Sequence, residues 1–368
     1  MMKIFTHAML GLAAAAAVGL AAPARAADEK VLNVYNWSDY IGENTVADFE
    51  KLTGIKVNYD VYDSNETLET KLLTGHTGYD VVVPSGGFLG KQIQAGVFRT
   101  LDKSKLPNLK NMDPSVMKAA AQFDPDNAHS VPYFWGTVGI GYNVKKIQAI
   151  MPDAPVNSLD IMFKPELAQK FAKCGITMLD SPADILEIAL HYLGRSPYSA
   201  KKEDYEAAQA MLTKVRPYIK YFHSSRYIDD MANGEICLAL GWNGDFLIAA
   251  DRATEAKNGN EIQYRIPKEG TQIWIDNLAI PADAPHPENA LLFINYLMEP
   301  KVAAAGANFV NYATPNLAAL PFVKPELRNN PDVYPPPDVM AKLFPDKVAP
   351  APVERLRTRT WTRIKTGS

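Results

Sequence analysis

The run YDVVVP, residues 79–84, constrains the fold of this chain more than any other stretch. A strand that is apolar on both faces must be covered on both, which is the position of a central strand in a parallel sheet. Its surroundings agree. Residues 31–36 read as a strand rich in β-formers, and 43–52 as a helix with Val46, Phe49 and Leu52 inward and Gly54 as its stop. Residues 55–59 alternate as a strand, and 66–74 form a helix with Leu68, Leu72 and Leu73 on one side. After the apolar run come Ser85-Gly86-Gly87 and a helix over 88–94. The order β-α-β-α-β calls for a parallel sheet with helices packed on it.

The middle of the chain repeats the pattern. Residues 136–144, GTVGIGYNV, make a Gly-rich strand suited to crossing between lobes. A second strand at 175–180 precedes a helix over 183–193, and a third strand covers 236–242. The strand 271–280 and the helix 289–298 resemble the first region, as if the chain returned to it. The expected architecture is α/β with two lobes, each a mainly parallel sheet flanked by helices, hinged around a central cleft. Residues 27–135 and 253–310 are assigned to the first lobe, and 136–252 and 311–368 to the second. The cleft is the expected binding site. The end of the chain is Pro-rich over 334–337 and then basic.

Residues 1–26 carry Lys3, an apolar run and the small-x-small end Ala24-Arg25-Ala26, the pattern of a cleavable secretory signal. A membrane anchor is the alternative, but the run is short and Ala-rich for a span. Removing Lys3 and Arg25 from the 38 basic residues leaves 36 against 41 acidic, a net charge of −5. That balance argues against nucleic acid or an anionic membrane as partner and mildly favours cations. The two cysteines, Cys174 and Cys237, are an even pair in an exported chain, which suggests a disulfide, with two buried thiols as the alternative.

The chemistry sits at strand ends. Residues 31–36 run into Trp37-Ser38-Asp39-Tyr40, and the carboxyl edge of an open α/β sheet is where ligands bind. Two rings and a carboxylate suit a small organic cation, which is attracted to the ring faces and neutralised by the acid. The other reading of this stretch is a buried aromatic corner with Asp39 as helix N-cap. The same vocabulary recurs at Trp242 and Asp245, at Trp274 and Asp276 (two apart, hence on one side of a strand), and at Tyr312. Asp39, Asp245 and Asp276 in one cleft would repel one another. A guest with two or more ammonium groups on a thin apolar stem removes that cost. The histidines show no metal spacing, and no nucleophile elbow, P-loop or complete dinucleotide fingerprint is present. No catalysis, metal or cofactor is expected.

The stretches YNWSDYIGENTVADFEKLTGIKVNYD, VVVPSGGFLGKQIQAGVF, LDKSKLPN, DPDNAHSVPYFWGTVGIGYN, FHSSRYI, GWNGD and YPPPDVMAKLF resemble the periplasmic putrescine- and spermidine-binding proteins of bacterial polyamine ABC transporters. The likeness runs along essentially the whole mature chain and is nearest to the putrescine-binding branch. It implies the type II periplasmic-binding-protein fold, a monomer, a periplasmic location, delivery of a polyamine to an inner-membrane permease, and a Cys174–Cys237 disulfide. By motif it implies ligand contacts at Trp37, Ser38, Asp39, Tyr40, Ser85, Asp184, Ser224, Trp242, Asp245, Trp274, Asp276 and Tyr312. Position 184 departs from the family, which often has the longer Glu; Ser181, Pro182 and Asp184 also fit a helix-capping arrangement. Trp274 stands where putrescine-binding relatives commonly have Phe, and Trp there accompanies spermidine preference in part of the family. Alternatives are a binding protein for another organic cation, a sensor subunit presenting polyamine to a membrane receptor, and an exported enzyme acting on amines.

Overall fold

The structure, a computed structural model, describes residues 29–367. The signal segment 1–26 lies outside the described residues. Strand β1 (Val31–Trp37) pairs in parallel with β2 (Lys56–Tyr62) and with β3 (Val81–Val82). The crossovers are the helices Thr45–Thr53, which ends on Gly54 in the left-handed region (φ 70°), and Asn65–Leu73, whose N-cap Ser64 accepts from the Thr67 N–H at 3.2 Å. The apolar run at 79–84 is central as expected, with Val81, Val82 and Val83 wholly buried, but only two of its residues are laddered. The ladder stops because the Val83 carbonyl is taken by side chains: it accepts from Trp37 Nε1 at 2.8 Å and from the Tyr62 hydroxyl at 2.6 Å. A strand end is thereby converted into a support for two cleft rings.

Strand β4 (Ser130–Asn143) joins the two halves. Its first part pairs antiparallel with β9 (Gln272–Ala279), and its second part pairs with β7 (Leu238–Trp242) and β8 (Ile262–Arg265). Beyond β7, strands β5 (Ile176–Met178) and β6 (Ile219–Phe222) run parallel, and β10 (Phe344–Pro345) lies along the start of β9. The strand order is β2-β1-β3-β9-β4-β7-β5-β6, parallel in the outer part of each lobe and antiparallel at the strands that cross. The glycines of β4 serve close packing rather than flexibility. A Cβ on Gly141 would run into the Phe246 ring, and one on Gly136 would strike Asn243 and Trp274.

The division of the chain differs from the sequence expectation at two places. Segment 253–270 was assigned to the first lobe, but β8 pairs with the far half of β4, so the chain returns on β9 instead. Residues 311–322 were assigned to the second lobe, yet Asn316 bridges to Met112 and Ala313 to Trp135 beside the first sheet. The basic tail is not irregular. It forms the helix Ala351–Thr366, which buries Val353, Trp361 and Ile364 against the helices Lys202–Val215 and Pro182–Tyr192. Its Arg357 is paired with the buried Glu187. Cys174 and Cys237 form a disulfide, with Cα atoms 5.5 Å apart, that ties the approach to β5 to the approach to β7.

Candidate functional site

The strand ends meet. Trp37 closes β1, and its indole is fixed by the Val83 carbonyl. Strand β9 contributes Trp274 and Asp276 to one side, as their spacing requires. Trp242 closes β7, and Asp245 follows in the first turn of the helix Asn243–Glu255. Tyr312 enters directly after the helix Pro300–Val310, where Asn311 in the left-handed region (φ 59°) turns the chain back. The rings pack edge to face: Trp37 on Trp242 at 5.6 Å, Trp274 on Tyr312 at 5.2 Å and Tyr40 on Tyr312 at 5.4 Å between centroids. Because Trp37 belongs to the first sheet and Trp242 to the second, the lobes are closed on one another. Between them lies a cleft of about 700 Å³, counting its opening to solvent.

Its electrostatics are one-sided. Asp63, Asp184, Asp245, Asp276 and Asp346 line it, and among the described residues no Lys, Arg or His does. Asp245 accepts from the hydroxyls of Tyr227 and Tyr312, the latter at 2.6 Å, yet burial still pushes it up to about 6. Asp276 accepts from Ser85 Oγ at 2.5 Å, and Ser85 is itself held by Asn65. Burial, with Asp346 and Asp184 adding to it, pushes Asp276 up to about 7. Burial raises Asp184 to about 6 against hydrogen bonds from Ser181 and Trp242. Asp346 reaches about 7, again chiefly through burial, with Asp184 beside it. A buried cleft of this composition is neutralised by protons or by a cationic guest. The Ser224 hydroxyl and the Trp274 Nε1–H are buried at its wall without hydrogen-bond partners, and the Tyr40 hydroxyl donates toward Asp276.

Eleven of the twelve residues expected from the sequence line this one cleft: Trp37, Ser38, Tyr40, Ser85, Asp184, Ser224, Trp242, Asp245, Trp274, Asp276 and Tyr312. Asp39 does not. With φ at 56° its side chain turns away to Arg252 of the opposite lobe, Oδ1 to Nη2 at 2.8 Å, and is 41% exposed. Nor is it a helix N-cap, a position held by Asn44. Asp184 faces the cleft rather than completing a capping box; Ser181 stands at the N-cap without a side-chain cap bond. Missed among the lining residues were Tyr62, Asp63, Asn65, Phe88, Ser225, Ile228, Gln272 and Asp346. Asp346 follows the two-residue β10 with no periodic signal of its own. The one pointer to it was the preceding stretch YPPPDVMAKLF, which carries the family likeness without marking a site.

Comparison with known proteins gives a consistent result. Residues 44–335 match the family described as bacterial extracellular solute-binding protein. The chain is 52% identical over 359 residues to the putrescine-binding periplasmic protein PotF of Escherichia coli, covering 97% of both chains. It is also 52% identical over 368 residues to the putrescine-binding periplasmic protein SpuD of Pseudomonas aeruginosa, covering all of both. Among solved structures it is similar to the spermidine/putrescine ABC transporter substrate-binding protein PotD of Streptococcus pneumoniae, with a TM-score of 0.73 and 29% identity over 92% of this chain and 99% of that one.

Proposed function

The chain belongs to the bacterial extracellular solute-binding proteins, and from that premise we propose that it captures linear polyamines in the periplasm and delivers them to an ABC transporter. It is a transport-binding protein and not an enzyme, as are its relatives. The observation that carries the reading is the composition of the cleft: buried carboxylates, rings packed edge to face and, among the described residues, no basic side chain. Asp245 and Asp276 each hold an ammonium group, exchanging a proton for a charge-assisted hydrogen bond. Trp37, Tyr40, Trp242, Trp274 and Tyr312 sheathe the methylene stem and present ring faces to its cationic ends. Ser38, Ser85, Asp184 and Ser224 complete the polar contacts.

Contacts to both lobes exist together only when the cleft is shut, so the ligand shifts the hinge equilibrium toward closure by its differential affinity. The closed protein then acts as a monomer on an inner-membrane permease, which reads the juxtaposed lobes. Calorimetric titration of the ligand-free protein tests the reading. Putrescine and spermidine bind one per chain, with affinity that falls as salt rises but is not abolished, because screening weakens buried pairs less than exposed ones. No heat with either polyamine, or equal binding of butane-1,4-diol, refutes it.

A further inference from the structure

We propose that Phe309, Leu317 and Phe322 form the surface on which the closed protein docks to its inner-membrane permease, and that the permease segment received there is apolar and flanked by carboxylates. The inference rests on the transport reading above and names the docking face that reading leaves open.

The side chains stand on a fixed mount. The helix Pro300–Val310 buries Ala303, Ala304, Gly306, Ala307 and Val310, which turns the i, i+4, i+8 line of Lys301, Ala305 and Phe309 to solvent. The 3-10 segment Leu317–Phe322 packs along this helix. Asn308 fastens the two: its amide donates to the Phe322 carbonyl at 3.1 Å, and its Oδ1 accepts from the Lys324 N–H at 2.8 Å. Phe309, Leu317 and Phe322 are 47%, 45% and 49% exposed. Among the described residues Phe309 and Phe322 are the only exposed aromatic rings; every other ring is buried or half-buried. Two phenyl rings held in water cost free energy in the isolated protein, and aromatic side chains fixed in position are the anchors of protein interfaces.

Charge defines the partner. Beside the rings runs a groove of about 880 Å³, counting its opening to solvent, lined in part by Tyr296, Val302, Ala305 and Phe309. Lys301 and Lys324 also line it, and Lys301 Nζ lies 5.8 Å from the centre of the Phe322 ring. The lysines that form ion pairs among the described residues are Lys91, Lys105, Lys164, Lys202 and Lys365, so both groove lysines are uncommitted. Glu43 and Asp48 belong to the part of the groove built by the chain after Tyr40. A segment that places an apolar side chain on the rings and a carboxylate by the two lysines is complementary in both respects.

Position favours a permease over a second copy of this chain. Asn311, two residues after Phe309, donates to Asp251 at 2.8 Å on the second-lobe helix Asn243–Glu255. The next residue of that helix, Arg252, holds Asp39 of the first lobe. The loop leaving Tyr40 reaches the groove directly: a Cβ on Gly42 would lie 3.3 Å from the Gly306 Cα, and Glu43, Asn44 and Thr45 follow in the groove wall. A partner covering Phe309 therefore sits at the seam between the lobes and against the loop that leads out of the cleft. Such a surface differs between the closed and open protein, a difference that a transporter must read and that self-association does not need.

The test separates docking from ligand capture. The cognate permease with its ATPase subunits, reconstituted in lipid nanodiscs, is titrated with polyamine-loaded protein, and the stimulated ATP hydrolysis is measured. The double variant Phe309→Ser/Phe322→Ser should need at least tenfold more protein for half-maximal stimulation, as expected of aromatic anchors. Lys301→Glu with Lys324→Glu should need at least threefold more. Polyamine affinity by calorimetry and the melting temperature should remain those of the wild type, and Leu73→Ser, a comparably exposed apolar side chain on another helix, should leave stimulation unchanged. Either double variant stimulating like the wild type overturns the assignment, as does an equal loss in Leu73→Ser. A parallel fall in polyamine affinity makes the rings structural and overturns it too. Wild type that sediments as a dimer, dissociated by the Phe309→Ser/Phe322→Ser variant, makes the surface a self-association site and also overturns it. Loaded wild type that gives no stimulation refutes the transport reading itself, a distinct outcome.

Discussion

Asp276→Asn offers a test in which stability and binding must move in opposite directions. Asp276 is 4% exposed and its pKa is raised from 3.8 to about 7, first by burial and then by Asp346 and Asp184. In the closed conformation without ligand the folded state therefore binds a proton that the unfolded state has released, so the pH effect that follows belongs to the closed fraction of the empty protein. Such a group contributes stability that is fully present below the unfolded pKa and is lost as pH rises through the folded one. At about 1.4 kcal/mol for each pH unit, the wild type loses about 3 kcal/mol between pH 5 and 8 through this residue. Asn does not ionise, and its presence also relieves Asp346 and Asp184, so the variant loses less. Ligand-free protein, prepared by unfolding and refolding to strip bound polyamine, is unfolded in urea at both pH values. The variant should gain on the wild type by about 3 kcal/mol more at pH 8 than at pH 5. In diamine titration at pH 8 the same variant should bind more weakly by about 2–5 kcal/mol, the usual cost of leaving a buried charge without its partner. A stability difference that does not change with pH would refute the protonation argument, and unaltered affinity would remove Asp276 from the ammonium site.

Asp39→Asn and Arg252→Ala should each weaken polyamine binding by no more than about 1 kcal/mol, because the ion pair is partly exposed and acts only on closure; a loss as large as that in Asp276→Asn would return Asp39 to the ligand set. Reduction of Cys174–Cys237, which closes a loop with a sequence separation of 63, should cost about 4 kcal/mol on the chain-entropy account and lower the melting temperature without removing a cleft residue. Two titratable thiols in the denatured, unreduced protein would contradict the bridge. Trp274→Phe should shift the spermidine-to-putrescine affinity ratio toward putrescine, since the indole offers the broader and stronger cation–π face. A wild type that prefers putrescine tenfold or more, with the ratio unchanged in the variant, would show that this ring does not set the choice.

Much of the cleft was legible in local patterns because strand ends advertise themselves. Trp37, Trp242 and Asp245 follow runs of β-formers, and Trp274 with Asp276 obeys the two-residue period that puts side chains on one face. The sheet topology then brings those edges together, since helices covering the apolar run leave only the carboxyl edge open. The exported class, the acidic balance and the β-α-β order are likewise properties of residue types and their spacing.

Tertiary structure alone decided three matters. Asp39 sits among the site residues in the sequence, but a left-handed backbone turns it to Arg252, a partner 213 positions away. The segment at β8 reads as part of a returning chain until its pairing with β4 places it in the other lobe. Asp346 has no pattern at all, and it becomes part of the cleft because β10 happens to lie on β9. Periodicity reports which face of its own element a side chain occupies. It cannot report which distant element will be packed against that face, and Asp39, β8 and Asp346 each depend on such a distant contact.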